Sequence, residues 1–91
     1  MKFEEARAQV ISAIQFATCG YNKDLIASKL ADEYADLAFS ELEFDSLAAM
    51  ELCIEIEDRT GVEIDLGELA LYPSVNDLAK FMAARSSAHH R

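Results

Sequence analysis

The chain has little that would break a helix: one proline and three glycines in 91 residues. Alanine, leucine, glutamate and isoleucine take their place, a balance that disfavours a many-stranded sheet and predicts an all-α fold. Cysteine is equally sparse. Cys19 and Cys53 are too few for a disulfide scaffold and lack the spacing or histidine partners of a metal site, which fits a reducing cytoplasmic setting. No apolar run approaches membrane-spanning length, and the start MKFEEARAQV carries acids where a secretory signal needs bases. Positive charge is short as well. The net charge of -9 disfavours a nucleic-acid partner, which calls for clustered lysine and arginine.

What is present is a hydrophobic fraction of 52%, enough for one domain of this length to bury a core. The charge is also localised. Between Glu41 and Glu68 ten acids face Arg59 alone, while the remaining seven acids and seven bases cancel. Such a block is either a solvated face or a surface that steers basic partners.

Phe3, Val10, Ile14 and Ala17 recur at helical spacing and predict a first helix from Phe3 to about Thr18, with Arg7 and Gln15 elsewhere on the cylinder and Gly20 as its stop. The stretch from Tyr21 to Ser40 is a long connection. Asn22 or Asp24 as cap and Leu25, Ile26 and Leu30 allow one short helix inside it. Asp45 or Ser46 caps the next helix, of about four turns, which has no breaker before Gly61. On that helix Ala49, Leu52, Cys53 and Ile56 form an arc toward the core, and Glu51, Glu55 and Asp58 form an acidic stripe. Leu47, Met50 and Ile54 lie between. Val62-Glu63-Ile64 alternates and reads as extended. Asp65 with Glu68 resembles a capping box for a short helix, and Ser74 after Pro73 starts a last helix running to about Arg85. The tail SSAHHR has no apolar period and is expected to lack fixed structure.

Ser46 opens an acidic helix, where free backbone N-H groups and the helix dipole favour a phosphate; the plainer reading is a simple N-cap. Asp45-Ser46-Leu47, with Leu42 before it and Met50, Glu51, Leu52, Ile54, Glu57 and Asp58 after it, resembles the acyl and peptidyl carrier proteins. The resemblance extends through Gly61-Val62-Glu63-Ile64 and Ser74-Val75-Asn76-Asp77-Leu78. It implies a four-helix carrier bundle with a long first connection and a short third helix, as one domain over 1–85 with the tail at 86–91 outside it. It implies that Ser46, flanked by Asp45, carries 4'-phosphopantetheine transferred from coenzyme A, and that Leu47, Met50, Glu51, Ile54, Glu57 and Asp58 meet partner enzymes. Those partners are a phosphopantetheinyl transferase, a cargo-loading ligase or acyltransferase, and a downstream synthase or transferase. A monomeric, non-enzymatic carrier is expected, without metal, nucleic-acid or membrane partners. Cargo class stays open: Phe39 is closer to peptidyl carriers, Asp45 to acyl carriers, and Glu43 departs from the family's usual glycine. The alternative from another class is an unmodified acidic adaptor that binds a basic protein through the same helix.

Overall fold

A computed structural model describes residues 1–18, 23–32, 35–42 and 45–88. Cys19, Gly20, Asn22, Glu43, His89 and His90, each given a reading from sequence, lie outside the described residues. The described residues form the helices α1 (Phe3–Ala17), α2 (Lys23–Lys29), α3 (Ser46–Thr60), α4 (Leu66–Leu71) and α5 (Val75–Ala88), with a 3-10 turn at Phe39–Glu41 and extended segments between them. Among the described residues no helix is long and apolar enough to cross a membrane.

The core is built around α1, which packs on both α3 and α5. Ala6, Val10, Ala13, Ile14 and Ala17 recur by three and four, so they form one stripe, and it closes on Leu52 and Ile56 of α3 and Leu78 and Met82 of α5. Ile26 of the short α2 and Leu30, just past its end, are buried in the same core. Asp24, offered as a cap, lies in the first turn of α2 instead.

Arg7 departs from its expected place off the apolar face. It is 9% exposed, because positions 3, 7, 10 and 14 repeat by four, three and four and so share one face. Residue type suggested solvent; helical phase dictates burial. The cation is accommodated by hydrogen bonds: Nε donates to Asn76 Oδ1 at 2.9 Å, and Nη2 to the carbonyls of Asp32 at 3.0 Å and Ala35 at 2.8 Å. These bonds fasten part of the long connection. Asp36 Oδ1 accepts from the Leu37 and Asn76 amides, while Phe39 N donates to Pro73 O and Val75 N to Leu37 O around an isolated Ala38–Ser74 bridge. The segment leading to α3 is thereby registered against the start of α5.

The helix ends follow their chemistry. Gly61 takes φ 76° and its N-H reaches Glu57 O, closing α3 in a left-handed conformation that a side chain would strain. Asp65 Oδ1 accepts from Glu68 N at 2.7 Å and Glu68 Oε1 from Asp65 N at 3.2 Å, the reciprocal pair expected for α4. Ser74 Oγ accepts from Asp77 N to start α5. That helix runs to Ala88 rather than stopping near Arg85, since Ser86-Ser87-Ala88 lacks an apolar period but contains no breaker.

Candidate functional site

At the start of α3 the cap is Asp45: its backbone is extended and its Oδ1 accepts from Ala48 N at 2.8 Å, while its carbonyl accepts from Ala49 N. Ser46 is therefore the first helical residue, and its exposed hydroxyl takes no part in the cap. The helix's own bonding leaves the Ser46 and Leu47 amides without intrahelical acceptors. An exposed hydroxyl beside free amides at the positive end of a fifteen-residue helix suits a phosphodiester, and the adjacent Asp45 carboxylate is already engaged by Ala48 N.

Below Ser46 the outer face of α3 carries Leu47, Met50 and Ile54, respectively 64%, 48% and 58% exposed, while Leu52, Cys53 and Ile56 are buried and Ala49 half-buried. At about 100° per residue, carboxylates flank this apolar strip on both sides. Glu51 and Asp58 lie along one flank. Glu55, expected in the same stripe, is held by Arg59, whose Nε reaches its Oε2 at 2.6 Å. Glu57 lies on the other flank and lines a cavity of about 360 Å3 with Glu63, Ile64, Asp65, Glu68 and Arg85. There Arg85 pairs with Glu68 at 2.6 Å and lies over the ring of Phe81, which stacks on Tyr72. The six residues expected to meet partners thus share one helix face, with Glu57 at its edge.

Other surface features were not singled out from sequence. Leu66 and Leu71 of α4 are 45% and 72% exposed. The signal was available, since a six-residue helix turns only one of its three leucines, Leu69, fully inward. An apolar cleft of about 250 Å3 runs between the 3-10 turn, α3 and α4, lined by Phe39, Ser40, Ala49, Leu66, Leu69, Ala70 and Pro73.

Two groups have shifted acidities. The Ala38 amide, and then Lys29 at 3.2 Å, hold the Glu41 carboxyl below its usual range. Burial first, and then the charges of Asp65 and Glu68, push the Cys53 thiol upward, which favours its protonated form.

A family model described as a phosphopantetheine attachment site matches residues 23–82. The match spans α2, Ser46, the outer face of α3, α4 and most of α5. No curated protein and no solved structure matches.

Proposed function

Because the chain belongs to the phosphopantetheine-attachment family of carrier proteins, the site of covalent 4'-phosphopantetheine attachment, we propose that Ser46 is the residue that bears the arm. The observation that carries this reading is the exposed Ser46 hydroxyl at the first position of α3, relieved of capping by Asp45 and placed inside the matched span. When attached, the arm supplies a thiol that holds an acyl, polyketide or aminoacyl group as a thioester. The chain's own residues then act as a handle. Leu47, Met50 and Ile54 give partners an apolar strip, and Glu51, Glu57 and Asp58 steer basic surfaces onto it. The partners are a phosphopantetheinyl transferase, a loading ligase or acyltransferase, and a downstream synthase or transferase. The carrier performs no chemistry of its own; tethering raises the effective concentration of cargo at each partner.

Intact mass after incubation with coenzyme A and a broad-specificity phosphopantetheinyl transferase tests the assignment. The parent and Ser40→Ala gain one phosphopantetheinyl unit, and Ser46→Ala gains none. Equal gain by Ser46→Ala would move the arm to another residue. No gain by any chain, with a transferase active on a control carrier, would leave the unmodified acidic adaptor.

A further inference from the structure

Two segments far apart in sequence converge on the buried Arg7 guanidinium, which donates to the Asp32 and Ala35 carbonyls of the long connection and to Asn76 Oδ1 at the start of α5. Asn76 closes the triangle, its Nδ2 donating to the same Ala35 carbonyl at 3.0 Å. The backbone that follows is paired with the start of α5 step by step: Asn76 N with Asp36 Oδ1, Val75 N with Leu37 O, and Phe39 N with Pro73 O. Buried Leu42 is the last described anchor before the cap Asp45 and Ser46. The chain that enters α3 at Ser46 therefore takes its path from a run of pairing whose upstream end is Arg7. An apolar residue at that position, on the face shared with Phe3, Val10 and Ile14, would pack without the cost of burying a cation. What it would not do is hold the two carbonyls of the connection.

We propose that Arg7 is a positioning residue for modification at Ser46: it locks the connection in one register on α5, and so fixes the path of the backbone ahead of Ser46 on which the transferase docks. The inference rests on Ser46 carrying the arm. Arg7 itself touches no reacting atom. With the lock open, the backbone ahead of Ser46 samples other paths and the competent fraction of chains falls. Apparent affinity for the transferase falls by the same fraction, while the chemistry at the Ser46 hydroxyl is unchanged.

The experiment is steady-state phosphopantetheinylation of the full chain by a broad-specificity transferase with coenzyme A. It compares the parent with Arg7→Met, Asn76→Ala, the double variant, and whichever of Ile14→Val and Ile14→Ala matches Arg7→Met in urea midpoint. Arg7→Met raises KM for the carrier about three- to tenfold with kcat unchanged. Asn76→Ala moves KM the same way, and the double variant goes no further than Arg7→Met, because the two side chains form one lock. The Ile14 variant, altered at a fully buried site of the same helix, keeps the parent KM. Hydrogen exchange gives the second readout: the Phe39 and Val75 amides exchange faster in Arg7→Met than in the matched Ile14 variant. Where Arg7→Met does not fold, Asn76→Ala carries the test, since it leaves Arg7 and both carbonyls in place. A KM no different from that of the Ile14 variant, a loss confined to kcat, or effects that multiply in the double variant overturns the role of Arg7 while the parent is still modified. If the parent gains no mass, or Ser46→Ala gains as much, the assignment of the arm fails first and this inference falls with it.

Discussion

Helices α1 and α3 are each fifteen residues long, and they divide their apolar side chains differently, α1 exposing the single large one Phe16 and α3 three on one face. α1 buries six residues, one of them an arginine. α3 buries three and leaves Leu47, Met50 and Ile54 in water. A helix packed against the central α1 that still exposes a leucine, a methionine and an isoleucine on one face is not arranged for stability alone. Contiguous exposed apolar surface rimmed by charge marks contact with other proteins. α1 holds the fold together, whereas α3 divides its apolar side chains between the core and solvent.

The largest expected effect tests that division directly. Ile14→Ala in α1 costs about 3 kcal/mol of unfolding free energy, because it empties a fully buried site. The same substitution at Ile54 in α3 changes stability by less than about 0.5 kcal/mol and instead raises KM for partner enzymes. Urea denaturation beside phosphopantetheinylation kinetics reads both. Equal destabilisation by the two variants would break the contrast.

A smaller effect concerns the two arginines. Arg7→Met leaves the Asp32 and Ala35 carbonyls and the Asn76 amide oxygen without the guanidinium donors and costs about 2 kcal/mol. Arg59→Gln removes one surface pair and costs less than about 0.5 kcal/mol. Smaller than the Arg7 loss, and expected from α3 alone, is the cap: Asp45→Ala costs about 1 kcal/mol. Lys2→Ala at the start of α1, whose side chain makes no capping bond, is neutral in the same denaturation assay.

Most of this contrast was legible in the sequence. The 3.6-residue period separated Leu52, Cys53 and Ile56 from Leu47, Met50 and Ile54, and cap chemistry located the starts at Asp65 and Ser74. Arg7 was misplaced because its charge was weighed above its phase. The end of α5 was misplaced because loss of apolar period was taken for loss of helix, although nothing there interrupts the backbone. Other features had no local signal. Asn76 N meets Asp36 across forty residues, and a bond of that range leaves no periodic trace in either segment. The Glu55–Arg59 pair was visible as an i, i+4 spacing. Its consequence, that one acid of the stripe is already committed, required the geometry.

Cys53 gives the finest test of where the inner face of α3 begins. It adjoins Ala49, which lines the apolar cleft, and it sits near the charges of Asp65 and Glu68. Burial raises its folded-state pKa, so the native state keeps the proton while the unfolded chain releases it at the ordinary thiol value. The stabilisation is therefore complete below that ordinary value and is lost as pH rises through the raised one. In a Cys19→Ser background, the urea midpoint falls on going from neutral to alkaline pH by more than it does in Cys19→Ser/Cys53→Ala. Iodoacetamide labels Cys53 slowly when folded and readily in urea. Parallel pH curves for the two chains, with fast labelling of the native protein, would place Cys53 on the partner side of α3 and leave only Leu52 and Ile56 facing the core.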